Sequence, residues 1–458
     1  MAHLTGALRQ GILMSTTSVL TPQQRQTRAT AGAFVGTAIE WYDFFIFGTA
    51  AALVFGKVFY PDIAPAAGIL ASFATFWVGF LARPLGGVLF GHLGDRLGRK
   101  NVLVATLLLM GVATTLIGVL PSYASIGMAA PIALVVLRAA QGLAVGGEWA
   151  GATLMATENA STRKRGMAGA WVQQGAPAGS IMATVAFLLV GMMDDEAFLS
   201  WGWRLPFLFS AVLIIVGLII RVKVEESADF VESRAHHKVV KVPVVEVFRT
   251  ASAYVWFGVM ASVLGIAIAF FNNTFLLSWT TSPVEAGGMG MDRQVILNIL
   301  LFISVLQFIW QPIAAKIAEH IGGVRVMILG LLLSMASIVP LFLAIMSASP
   351  IAIAAALSVS VLGGTAYYAM LASFLSHAFP VNVRFTGVAL ANGLCASLIG
   401  GSTPLIAQSI LGATGPWGVA VFYAVIAIVT IWGVVGLHRK VTQRDQQDRV
   451  PQEAILSE

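Results

Sequence analysis

Glu40 and Asp43 stand three residues apart in one apolar run, and Arg138 and Gln141 share that spacing in another. A charge placed in hydrocarbon has to be paired, hydrated or used, because leaving it bare costs about 3 kcal/mol or more. A carboxylate in that position can take up and release a proton. A guanidinium can hold a second carboxylate through two parallel N–H donors. On a helix rising ~1.5 Å per residue from Ala31, Glu40 and Asp43 lie ~14 to 18 Å deep on neighbouring parts of one face. Arg138, counted from Pro131 on a helix entering from the opposite side, lies ~10 Å from its end, in the same band of depth. Two readings are open for each charge. Arg138 either binds a substrate carboxylate or serves as a structural partner of the acids. Asp43, with Glu40 as second candidate, either carries a coupling proton or stays ionised in a salt bridge. Gln141, Gly142, Val145 and Trp149 continue the Arg138 stripe, offering small, polar and aromatic surface to a solute. Asn272, Asn273, Tyr367 and Tyr368 offer hydrogen-bonding groups either to the same cavity or between helices. Arg83 and Glu148 are expected to form a structural pair.

The elements that must position these residues follow from hydropathy. The chain has 458 residues, 58% of them hydrophobic and only 10% charged, with a mean hydropathy of +0.85. Soluble proteins carry about 25% charged residues, so this chain cannot clothe a water-facing surface. Its charges cluster between apolar runs of ~20 residues, long enough to cross a bilayer as helices. Six runs precede the polar stretch Arg221 to Thr250, and six follow it. The fold class is therefore an all-α membrane protein of twelve transmembrane helices. Its expected divisions are a tail at 1–30, a six-helix bundle at 31–222, a linker at 223–250, a second bundle at 251–438 and a tail at 439–458. The first 30 residues lack the apolar core of a signal peptide. With both termini cytoplasmic, 22 of the 27 Lys and Arg residues fall on the inner side, so the pI near 9.6 is a topology signal rather than a sign of nucleic-acid binding. The single Cys395 excludes a disulfide framework, and no metal-ligand or HExxH pattern occurs.

A faint duplication joins the halves. A shift of 224 sets Leu93, Asp95, Leu97 and Gly98 over Ile317, Glu319, Ile321 and Gly322, and a shift of 219 sets Glu158 and Arg165 over His377 and Arg384. Parallel repeats of this kind suit a transporter whose halves rock about a site between them.

The stretch Gly91-His92-Leu93-Gly94-Asp95-Arg96-Leu97-Gly98-Arg99-Lys100 resembles the signature loop between helices 2 and 3 of the major facilitator superfamily. The resemblance implies a conformational latch on the inner side built from Gly91, Asp95, Arg96, Gly98 and Arg99, with Glu158 and Arg165 completing its charge network. Glu40-Trp41-Tyr42-Asp43-Phe44, Arg83-Pro84-Leu85-Gly86-Gly87, Gly146-Gly147-Glu148-Trp149 and Trp201-Gly202-Trp203-Arg204 narrow the resemblance to the metabolite:proton symporters. The second half departs from that pattern, since Glu319-His320-Ile321-Gly322-Gly323 lacks the Asp and Arg pair and His377 stands where relatives often have Glu. What the resemblance implies is proton-coupled symport of a small organic acid, with a zwitterionic osmolyte as the alternative cargo. The expected partners are that solute, protons and the lipid bilayer, with no nucleic acid. No cofactor beyond the proton gradient is expected, and the carrier is expected to work as a monomer in the bacterial inner membrane.

Overall fold

The computed structural model describes residues 22–97, 99–145, 165–222, 243–380 and 383–456, and among these the chain forms helices and no strand. Helix α1 runs Pro22–Ala50, passes through a π-helical turn at Ala51–Phe55 and ends at Gly56–Val58. Helix α2 comprises Pro65–Leu81 and Arg83–Leu97, α3 is Arg99–Val119, and α4 is Ala129–Val145. Helix α5 comprises Arg165–Gln173 and Gly175–Gly191, and α6 is Leu205–Val222. The second half starts with α7, made of Pro243–Phe270, a π-helical turn at Phe271–Leu276 and Leu277–Thr281. It continues with α8 at Arg293–Ile321, α9 at Gly323–Ala336 and Ile338–Met346, and α10 at Pro350–Ala378. Helix α11 comprises Arg384–Cys395, a π-helical turn at Ala396–Gly400 and Ser402–Thr414, and α12 is Pro416–Leu456.

Ten of these helices hold windows long and apolar enough to cross a membrane, and the apolar parts of α3 and α4 are shorter. Large apolar side chains such as Leu85, Val88, Leu189, Val421 and Trp432 stand exposed on the outside, a surface that hydrocarbon satisfies and water does not.

The breaks have local causes. The interruptions at Ala82, Gln174 and Ser337 each precede a proline, at Pro84, Pro177 and Pro340. Proline lacks the N–H for the helical ladder, and its ring crowds the carbonyl four residues back. The π turns in α1 and α7 contain no proline. They begin at Ala51 and Phe271, 220 residues apart, so the backbone repeats the duplication seen in the sequence.

Three helices overrun the expected divisions. Helix α1 begins inside the 1–30 tail, α7 begins inside the 223–250 linker, and α12 continues through most of the 439–458 tail. Hydropathy marks where a helix leaves the membrane, and a polar helix in water carries no hydropathy signal at its true end. In α7 the step is visible as a kink at Ala251, whose φ of −136° is non-helical. The stretch 91–100, expected as a loop, is instead helical through Leu97 and again from Arg99.

The halves touch at both ends. On the side of the centre nearer the termini, about one turn from the middle of α8, Gln311 of α8 donates to Ala170 O at 3.1 Å and Gln174 of α5 donates to Phe308 O at 2.5 Å. At the far end, Gln294 of α8 donates to Leu188 O of α5 at 3.1 Å. Helices α5 and α8 thus join the halves on both sides of the centre.

Candidate functional site

Two separate constellations occupy mid-membrane. The first is a sealed charge relay within the first half. Asp43 is buried, its Oδ1 accepting from Ser210 of α6 at 2.7 Å and its Oδ2 from Thr114 of α3 at 3.1 Å. Thr114 Oγ1 in turn accepts from Gln141 Nε2 at 2.7 Å, and Gln141 Oε1 accepts from Arg138 Nη1 at 3.1 Å. Among the described residues no ion pair joins Arg138 to Asp43 directly; the contact runs through Gln141 and Thr114.

Arg138 is wholly buried, and aromatic rings surround its guanidinium. Its Cζ lies 4.2 Å from the Phe47 ring centre, 4.7 Å from Phe44 and 4.8 Å from Phe76, each within cation–π range. Nε donates to Phe76 O at 3.2 Å, and Nη2 has no hydrogen-bond partner among the described residues. This position depends on a close approach of α4 to α2. A Cβ on Gly142 would lie 1.9 Å from Gly79 O, and a Cβ on Gly79 would lie 2.5 Å from Arg138 Nε. Arg83 shares two of the rings around Arg138, 4.3 Å from Phe44 and 4.4 Å from Phe80, and is coupled electrostatically to the half-buried Glu40.

The second constellation is a narrow cavity of about 40 Å³ between the halves. Trp41 and Phe45 of α1 form one wall, and Trp41 stacks on Phe270 with ring centres 5.8 Å apart. Asn272 and Asn273 of α7, Ser304 and Gln307 of α8, and Thr365 and Tyr368 of α10 provide the polar groups. The π turn of α7 carries both asparagines, and Asn273 accepts from Ser180 of α5 at 3.2 Å while Ser180 pairs with Ser304 at 2.8 Å. These bonds cross from one half to the other. No charged side chain is among the described residues that line the cavity.

The structure therefore distributes the sequence-predicted residues over two places. Asp43, Arg138 and Gln141 meet in the relay, and Asn272 and Asn273 line the cavity. Arg138 and Gln141 do not line it. Tyr367 points into the core of the second half, where its hydroxyl donates to Ala261 O, and its neighbour Tyr368 reaches the cavity. Gly91, Asp95 and Arg96 fall near the end of α2, while Arg99 and Arg165 open α3 and α5. The side chains of these five, together with Gly98, Glu148, Trp149 and Glu158, lie outside the described part, as does any pair between Arg83 and Glu148. Sequence reasoning missed Thr114, Ser210, Ser180, Ser304, Gln307 and Thr365. Their only signal is a lone polar residue in an apolar run, which a membrane helix also accommodates by bonding its own backbone.

The family model described as Major Facilitator Superfamily matches residues 33–404. The chain is 39% identical to a shikimate transporter of Escherichia coli K12, over 92% of this chain and 96% of that protein. It is 37% identical to the inner membrane metabolite transport protein YhjE of the same strain, over 91% and 95%. A proline/betaine transporter of Salmonella typhimurium is 33% identical over 91% and 83%. Among solved structures, a partially occluded inward-open xylose transporter XylE from E. coli superposes with a TM-score of 0.70 at 16% identity, covering 90% of this chain and 97% of that one.

Proposed function

The chain belongs to the major facilitator superfamily of membrane transporters, and on that premise we propose that it carries a small organic acid inward together with protons by alternating access. The observation that carries this reading is the separation of the two constellations: a titratable carboxylate sealed in one half, and an uncharged polar cavity between the halves. Helix α1 joins them, with Asp43 in the relay and Trp41 and Phe45 on the cavity wall.

The proton site is Asp43. Thr114 has one hydroxyl proton and two acceptors in reach, Asp43 Oδ2 at 3.1 Å and Met110 O at 2.8 Å. Ionised Asp43 draws that proton; protonated Asp43 releases it to Met110 O. Because Gln141 donates to the same oxygen and accepts from Arg138, the change at Asp43 reaches the guanidinium without direct contact. Arg138 serves as the counter-charge of the relay. The cavity, not Arg138, faces the solute: carboxamide and hydroxyl donors take the carboxylate and any ring hydroxyls, and Trp41 takes the apolar side. The similarity to a shikimate transporter supports a hydroxylated carboxylic acid. The basic-residue count supports a cytoplasmic location for both termini.

A second reading is a zwitterionic osmolyte, favoured by the aromatic wall of Trp41 and Phe45, which would suit a quaternary ammonium. Proteoliposome uptake of hydroxylated cyclic acids, dicarboxylates and betaines, with and without an inward proton gradient, decides between them. Gradient-driven accumulation of the cyclic acids is expected. Accumulation of betaines alone, or uptake indifferent to the gradient, overturns the proposal.

A further inference from the structure

We propose that Arg293 is the gate residue of the end opposite the termini, a cation of the second half that locks onto the closing helix of the first. Arg293 is the first residue of α8, yet its side-chain contacts lie in the other half. Nε and Nη2 donate to Gly191 O at 3.3 and 3.0 Å, and Nη2 donates to Met193 O at 2.9 Å. Nη1 donates to Asp195 Oδ1 at 2.6 Å, and the guanidinium lies 4.2 Å over the Phe198 ring.

The placement is wrong for its own helix and right for the other. A cation at a helix N-terminus opposes the helix dipole, whereas the carbonyls at a C-terminus attract it. Gly191 is the last residue of α5, so Arg293 sits where the dipole of α5 is negative. Nor does α8 need it for capping, since Asp292 already accepts from Val295 N at 3.1 Å. What Arg293 gains, it gains from the opposite half, and only while the far end is closed. The contact is also reversible. Arg293 keeps 19% of its side chain exposed and Asp195 keeps 84%, so water reaches the pair and can rehydrate it on opening. An exposed ion pair contributes little and is screened by salt; the carbonyl bonds to Gly191 and Met193 carry more of the hold. Next to them, a Cβ on Gly191 would lie 2.8 Å from Gln294 Nε2, so α5 and α8 already meet at contact distance.

This inference rests on the alternating-access part of the function proposed above and not on the identity of the solute. Its test is accessibility, which needs neither substrate nor proton gradient. In full-length protein whose single cysteine is removed as Cys395→Ser, the cavity-lining Ala176→Cys serves as reporter. A membrane-impermeant maleimide is added to one face of the membrane at a time. Arg293→Gln is expected to speed labelling from the far face roughly tenfold and to slow it from the face of the termini. Arg293→Lys, which keeps the charge but loses the fork, should fall between Arg293→Gln and the parent, and Asp195→Asn should change labelling less than Arg293→Gln. Labelling by Arg293→Gln protein that matches the parent from both faces overturns the proposal. So does an increase from both faces, which marks a loosened fold rather than an opened gate. A failed solute screen with this labelling pattern intact would reject the cargo and keep the gate.

Discussion

Asp43 accepts from two hydroxyls on two other helices, Ser210 on α6 and Thr114 on α3, so its protonation state is felt across three elements. Asp43→Asn cannot take up a proton at that site, and the expected result is loss of gradient-driven accumulation with solute counterflow largely retained. Accumulation at the parental level would assign the proton to Glu40 or elsewhere. Thr114→Val keeps the shape but strands Gln141 Nε2 and Asp43 Oδ2, at a cost of about 1 to 3 kcal/mol of stability. In protein shown to be folded by thermal melting, accumulation should fall further than counterflow. An equal fall in both would remove Thr114 from the coupling path. Asp43, Arg138 and Gln141 were legible because a charge in an apolar run demands an explanation and an i,i+3 spacing names a neighbour. Their partners were not, since Thr114 and Ser210 come from helices 71 and 167 residues away. The aromatic cage was equally hidden: phenylalanines in a membrane span carry no mark of what they surround. Tyr367 and Tyr368 differ by one residue, about 100° around a helix, and that rotation sends one into the core and the other to the cavity.

Helices α2 and α4 meet through Gly79 and Gly142 with no side chain between their backbones, and the guanidinium of Arg138 lies across that seam. Gly79→Ala places a methyl 2.5 Å from Arg138 Nε and 2.9 Å from its Cζ. Overpacking of this kind costs about 1 to 3 kcal/mol, and here it also pushes the charge off Phe76 O. The expected outcome is a lower melting temperature together with weakened proton coupling, while Gly412→Ala, a helical position where a Cβ meets nothing within 4 Å, should keep or slightly raise the melting temperature. A Gly79→Ala protein as stable and as well coupled as the parent would show that the seam tolerates separation. At this scale, helix number and the two-half order were legible from hydropathy, whereas the interruptions at Ala82, Gln174 and Ser337 were not, since Pro312 sits inside α8 without breaking it. The π turns of α1 and α7 were not, because no proline announces them. The one in α7 presents both Asn272 and Asn273 to the cavity, so a feature invisible to periodicity shapes the binding surface.

At the scale of the whole molecule, contacts between the halves flank a cavity whose described lining carries no charge. That neutrality has an electrical consequence. Fixed charges return to their starting place over a full cycle, so the net charge moved is that of the solute plus the proton taken up at Asp43, and an uncharged lining adds none of its own to the loaded step. A monoanion entering with one proton moves no net charge, so voltage exerts no pull on the loaded step. A zwitterion entering with one proton moves one positive charge, worth about 2.3 kcal/mol per 100 mV, or roughly fortyfold in accumulation. Purified protein on a solid-supported membrane should therefore give little or no sustained current when an acidic solute is applied at matched proton concentration. A steady inward current of one charge per solute would mark either a zwitterion entering with one proton or a monoanion entering with two, and it would mean that this carrier draws on membrane voltage as well as on acidity.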